Sequence, residues 1–228
     1  MATSGTTAFD LDLGDCVEEA FERAGVEVFS GYDLSTARRS LNLMLLDWHN
    51  RGIPMWTVEQ GTQALTASDG EYNMPTDTVD ILDAVLRTGT GTSQVDVAMT
   101  RMSFSEYASI PNKNSEGRPT RWYLQRNTTT PVLTLWQVPD SAATYTFVYW
   151  RMRRMYEAGA GGAYNQDVPF RFLPALVSGL AYHIAVKKSK DNDRIVGLKL
   201  VYEEDLRRAE QDDRDRSSWF IRPHVSYR

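Results

Sequence analysis

With one cysteine in 228 residues, Cys16, the chain cannot close an intramolecular disulfide or build a multi-cysteine zinc site, and it reads as a protein that folds in a reducing cytoplasm. Cys16 sits among Asp15, Glu18 and Glu19 with no basic neighbour to favour its thiolate, which removes it as a nucleophile. Histidine is scarce too. His49 at a helix end, His183 inside a helical stripe and His224 in the last segment each read as structural rather than catalytic. No apolar run approaches the roughly 18 residues of a membrane span. The opening MATSGTTAFDLDLGD has neither the basic nor the apolar region of an export signal. Residues 1–86 hold 15 acidic side chains against 4 basic ones. That imbalance would repel a phosphate backbone and argues against a conventional nucleic-acid binder, whose affinity comes from a basic face. The glycines of the AGAGG run beginning at Ala158 lack a following Gly-Lys-Ser/Thr, and no Gly-x-Ser-x-Gly elbow is present. Neither a cofactor nor a metal is expected.

What is present is ordinary globular material, 42% hydrophobic and 24% charged, in a chain long enough to bury a substantial core. From Gly14, the positions Val17, Ala20, Phe21 and Ala24 form an amphipathic helix closed by Gly25. Asp33 or Ser35 is expected to cap a second helix striped by Leu34, Ala37, Leu41, Leu45 and Trp48 and closed by Asn50-Arg51-Gly52. The period then changes to that of strands at Trp56–Gln60, Thr62–Thr66 and Asp80–Arg87, with a turn at Asp69-Gly70. Val95, Val97 and Met99 alternate as one face of a half-buried strand. Ser103 and Glu106 have capping-box spacing for a short helix that packs Phe104, Tyr107 and Ala108 on the sheet.

After a polar loop, Pro111–Gly117, come three runs rich in β-branched and aromatic residues: Arg121–Arg126, Val132–Val138 and Tyr145–Met152. Turn-forming segments separate them, and they read as an antiparallel meander. A glycine-rich stretch from Tyr156 follows. Two further helices are expected, Pro169–Lys188 and one from about Arg194 capped by Asp191 or Asn192. Two short helices at each end cannot bury their stripes alone. The fold class is therefore α+β: a four-helix bundle from residues 1–55 and 156–213, an inserted antiparallel β-rich domain over 56–155, and an extended arm over 214–228.

The patterns Gly-x-Pro-x-x-Trp-Tyr-Leu from Gly117, Pro-x-Leu-x-Leu-Trp-x-x-Pro-Asp from Pro131 and the aromatic run YTFVYWRM from Tyr145 resemble the β-domain of the head-to-tail adaptor proteins of short-tailed bacteriophages, the tail tubular protein A and packaged-DNA stabilisation types. The resemblance spans Leu11 to about Ala209. It implies a non-enzymatic virion protein made in the host cytoplasm. Such a protein forms a ring, of twelve copies in that family, between the portal protein and the tail tube or nozzle, and seals the channel through which genomic DNA passes. It also implies assembly contacts by C-terminal extensions. Here the tail SSWFIRPHVSYR offers Trp219, Phe220, Ile221, Arg222, Tyr227 and Arg228 as portal or subunit anchors, the alternative being a tail folded back on its own domain. Lys113, Asn114, Glu116 and Arg118 are candidate tail-side contacts.

Other readings stay open beside that one. Another head-completion component would share these features, and a tail-carried cell-wall hydrolase would need a carboxylate pair, for which Glu203, Glu204 and Asp205 are the obvious source. Neighbours on a helix diverge, however, and acid runs usually line a solvated face. Trp122, Tyr123, Trp136, Tyr145, Phe147, Tyr149 and Trp150 have the spacing of sheet core rather than of a stacking platform for bases or sugars. Arg151, Arg153 and Arg154 form the one local basic patch, read as solvated or subunit-interface arginines or as phosphate contacts.

Overall fold

The computed structural model describes residues 9, 11–27, 31–52, 55–159, 166–189 and 191–213. The chain divides into two compact units: Pro54–Met155, and the pair of segments Met1–Ile53 and Tyr156–Arg228. Helix α1, Leu13–Ala24, starts where the Asp12 carboxylate accepts the Asp15 N–H at 2.8 Å, and it ends at Gly25, whose φ of +67° is the left-handed turn that glycine adopts without cost. Helix α2, Gly31–Asn50, begins ahead of the expected caps. Asp33 and Ser35 lie within it, and the buried Asp33 carboxylate pairs with Lys188 instead, so in the first turn it serves as a charge rather than as a cap.

The unit Pro54–Met155 is built from strands. After a 3₁₀ turn at Met55–Thr57 comes β1, Val58–Ala64, one continuous strand where the sequence suggested two. Gly61 is not a break but a clearance: a side chain there would collide with the ring of Tyr149 on the neighbouring strand. The unit continues through β2 (Glu71–Asn73), β3 (Thr78–Thr88), β4 (Val95–Ala98), β5 (Thr100–Arg101), helix α3 (Phe104–Ser109) and β6 (Glu116–Gly117). It ends with β7 (Arg121–Gln125), β8 (Val132–Trp136), β9 (Val138–Pro139) and β10 (Tyr145–Arg153). Two four-stranded sheets result, in the orders β1-β10-β3-β4 and β2-β8-β7-β5, with β6 and β9 forming a short parallel pair.

The expected meander is only two-thirds realised. Strands β7 and β8 make a hairpin with Trp122 opposite Leu135, but β10 pairs with β1 and β3 in the other sheet. The far edge of β8 is already occupied by β2, with Tyr72 opposite Leu133, and β9 turns the chain into its pair with β6 before β10 begins. Between the sheets Tyr72, Ile81, Leu86, Trp122, Leu133, Leu135 and Phe147 form one buried cluster. The expected half-buried strand around Val97 is divided in the same way. β4 lies on the edge of one sheet beside β3, β5 runs parallel to β7 in the other, and the crossing residue Met99 is buried while Val95 and Val97 stay exposed beyond the core. The capping box of α3 forms, the Glu106 N–H donating to Ser103 Oγ at 3.2 Å and the Ser103 N–H to the Glu106 carboxylate at 2.6 Å. Phe104 and Ala108 remain exposed, and Tyr107 alone is half-buried, stacked on Tyr123 at 5.7 Å.

In the other unit, a 3₁₀ turn at Phe170–Phe172 leads into α4, Leu173–Lys188. Asp191 then caps α5, Asn192–Asp212, accepting the N–H groups of Asp193 and Arg194. α4 packs against α1, α2 and α5, which explains why it is apolar nearly all round. Trp48 Nε1–H donates to the Tyr202 hydroxyl at 2.8 Å, tying α2 to α5, and Tyr182 stacks on Tyr202. No helix among the described residues is long and apolar enough to cross a membrane.

Two glycines in these helices carry opposite expectations. A Cβ on Gly179 would lie 2.5 Å from Met44 Sδ and 2.7 Å from the ring of Tyr202, which is held in place, whereas one on Gly197 meets nothing within 4 Å. Gly179→Ala should therefore lower stability by about 1–2 kcal/mol, overpacking outweighing the gain in helix propensity. Gly197→Ala should raise it by about 0.5–1 kcal/mol. Urea midpoints of the two variants check both signs.

Candidate functional site

In the β unit one member of the basic patch, Arg151, turns inward. Arg151 is 8% exposed; its Nε donates to Glu59 Oε1 at 2.8 Å, and its Nη1 donates to Asp77 Oδ1 at 2.6 Å and Thr78 Oγ1 at 2.7 Å. Neither a solvated nor a phosphate-binding role suits a guanidinium so fully engaged, because a buried charge is retained only where partners saturate it. Arg153 leans on Glu59 at 3.7 Å, and Arg154 is exposed. The Arg151 hydrogen bond holds the Asp77 carboxyl below its ordinary range. Nearby, Asp80 receives Arg101 through two hydrogen bonds and Arg126 through a third, joining β3 to β5 and to the end of β7. These carboxylate hubs fix the sheets.

Among the candidate tail-side residues, Lys113, Asn114 and Glu116 line a notch of about 350 Å³ with Tyr107 and Thr134. Lys113 Nζ lies 5.4 Å from the Tyr107 ring centre and donates to the carbonyls of Ala108 and Ile110, and Glu116 accepts a hydrogen bond from Ser68 at 2.7 Å. Arg118 is exposed and outside that group. The aromatic residues divide as sheet spacing implied. Trp122, Tyr145, Phe147 and Tyr149 are buried, with Trp122 edge-on to Phe147 at 6.3 Å, while Tyr123, Trp136 and Trp150 are half-buried.

The helical unit carries the features that sequence periodicity did not single out. Attention to each buried stripe passed over what lies behind it: on α2, Tyr32, Leu43 and Leu46 face outward, Leu43 being 59% exposed, and on α5 Val196 and Leu200 do so, Leu200 being 62% exposed. Apolar residues out of phase with a buried stripe were the available signal. A groove of about 780 Å³ also runs along α1 and the start of α4, with Leu11, Pro174 and Val177 in its lining and Asp15, Glu18 and Glu22 along one side.

The residues considered for chemistry are placed as structure. Cys16 is buried in α1, and burial pushes its thiol up to about 12. His49 is buried at the end of α2, and His183 lies against Tyr182, its pKa lowered by burial and by Lys187. Glu203 and Glu204 pair along α5 with Lys199 and Arg208, and Asp205 lies 3.8 Å from Arg208. Among the described residues no group of His, Cys, Asp and Glu has the arrangement of a metal site.

A family model described as SU10 adaptor protein matches residues 7–226. The chain belongs to the SU10 adaptor protein family. Its role is thus structural, that of a head-to-tail adaptor in a virion. No curated protein matches this adaptor. Among solved structures, a chain from the neck of an empty GTA particle, computed with C6 symmetry, aligns with it at 13% identity. That alignment covers 90% of the adaptor and 92% of the neck chain, with a TM-score of 0.24. The adaptor's C-terminal candidates Trp219, Phe220, Ile221, Arg222, Tyr227 and Arg228 lie outside the described residues, as does His224.

Replacing Arg151 by Met should cost the adaptor about 2 kcal/mol. This is less than the 3–5 kcal/mol of a fully buried pair, since Glu59 and Asp77 keep 43% and 34% of their side chains in water. Because the Asp77 pKa is depressed in the folded state, its contribution is present above the unfolded carboxyl value of about 3.9 and is lost as pH falls through the folded value. Urea midpoints from pH 7 down to pH 3 should therefore fall less steeply in Arg151→Met than in the unmodified protein.

Proposed function

We propose that copies of this chain close into a ring, of twelve as in the adaptors it resembles, between the portal protein and the tail tube or nozzle, sealing the DNA exit channel without enzymatic action.

 The observation that carries this reading is the pair of unlike apolar faces on the helical unit: Tyr32, Leu43 and Leu46 on α2, and Val196 and Leu200 on α5. Both helices turn their buried stripes towards α4, so these residues point away from it. Two different faces on one molecule favour a heterologous, head-to-tail contact, and such contacts form rings when the rotation closes. The four helices α1, α2, α4 and α5 act in this reading as a bundle that supplies the ring contacts. The inserted β domain presents Lys113, Asn114, Glu116 and Arg118 to the tail component, and the arm over 214–228 reaches the portal or a neighbour. The acid-rich first 86 residues suit a channel through which DNA slides without adhering.

Native mass spectrometry of the protein alone and mixed with its portal ring tests the assembly. Addition of multiple copies per portal ring is expected, and no association would overturn the reading. The head-to-tail contact has its own signature. Leu43→Glu and Leu200→Glu, each on an exposed position, should leave the fold intact and abolish rings. Mixed together, the two variants should form dimers and nothing larger, since only one good contact remains between them; a mixture that stays monomeric would show that the two faces are not partners.

A further inference from the structure

We propose that the groove along α1 and the start of α4 receives the chain's own C-terminal segment, residues 217–228, so that the free subunit holds its assembly arm in cis. The proposal concerns the unassembled protein and does not depend on the ring.

The groove is of mixed chemistry. Phe170 and Pro174 are exposed and Leu11 is half-buried along it, above the buried Val177; Glu19 and Arg23 in its wall pair with each other, while Asp15, Glu18 and Glu22 form no ion pair among the described residues. Its volume of about 780 Å³ is in the range that encloses several side chains, since sites for drug-sized ligands run from about 300 to 1,000 Å³. An occupant should therefore be apolar and aromatic, and should carry positive charge. Residues 217–228, SSWFIRPHVSYR, fit on both counts: Trp219, Phe220, Ile221 and Tyr227 for the lining, Arg222 and Arg228 for the carboxylates, and no acidic residue. The other end of the chain fits less well, because residues 1–10 contain no basic side chain and one aspartate.

The place where the chain leaves α5 supplies the second argument. Asp213, at the C-terminal end of α5, pairs with Arg171, which directly follows the groove residue Phe170. The arm thus starts beside the groove. Six extended residues, 214–219, span at most roughly 20 Å, enough to bring Trp219 to a surface that begins next to the anchor. Tethering at such a short distance raises the effective concentration of the arm into the millimolar range, so even a weak match would be occupied. Docking in cis would cover exposed Phe170 and Pro174 until a partner offers the arm a better contact.

Disulfide trapping in the full chain tests the proposal. Ile221→Cys is combined with Glu18→Cys in the groove, and separately with Glu204→Cys, which lies on the exposed surface of α5 about 14 Å back from Asp213 and so within similar reach. Buried Cys16 stays in place as an unreactive thiol. Under mild oxidation at low protein concentration, the groove pair should close an intramolecular disulfide at least tenfold faster than the Glu204→Cys pair. Equal rates would mean an arm that does not dock in the groove and would overturn the proposal. Disulfide-linked dimers whose yield rises with concentration would overturn it as well, giving the groove to the arm of a second copy.

Discussion

The pairing of β1 with β10 is the constraint on which the rest of the molecule depends. The chain leaves its helical unit near residue 53 and re-enters it near residue 156, after about a hundred residues of sheet. Closing a flexible loop of that length costs about 4 kcal/mol in chain entropy beyond a constant term. The ladder that sets Val58 opposite Met152 brings the two ends of the insertion together as part of the sheet. Helices α1 and α2 can then share α4 with α5 although the two pairs are far apart in sequence. Arg151, engaged by Glu59 on β1 and by Asp77 before β3, sits at the end of that ladder where its register matters most.

The helices were legible because each buries a stripe whose period is local. Val17, Ala20, Phe21 and Ala24 announce α1, and Asp191 announces the start of α5, without reference to anything distant. The longer strands were legible for the same reason, since alternation is local too; β2, β6 and β9, of two or three residues each, are too short to alternate, and Gly61 made β1 look like two strands. Strand partners were not. The sequence around Tyr145 carries no mark that distinguishes a third strand of a meander from a strand inserted between β1 and β3, because the choice depends on β2 having taken the edge of β8. Gly61 shows the same limit, since its reason for being glycine lies on another strand, at Tyr149.

The candidate surfaces divide along similar lines. The loop at Lys113 and Glu116 could be read as polar and exposed, but not as a short strand pinned through Ser68, which is 48 residues distant from Glu116. Arg151 looked like part of a surface patch because its acidic partners, Glu59 and Asp77, lie 92 and 74 residues away. The groove beside α1 was invisible for a further reason: it is bounded by residues from both ends of the chain, Leu11 and Val177 among them. Charge along the sequence was the better guide to it, since the acid-rich first third includes Asp15, Glu18 and Glu22.

The double crossing between the units also has a mechanical side. Two strands, not one, enter the sheet domain at the same end of an antiparallel ladder, and they are direct neighbours there. Tension transmitted from the helices is divided between two covalent tethers that move together, so neither strand is dragged past or peeled from the other.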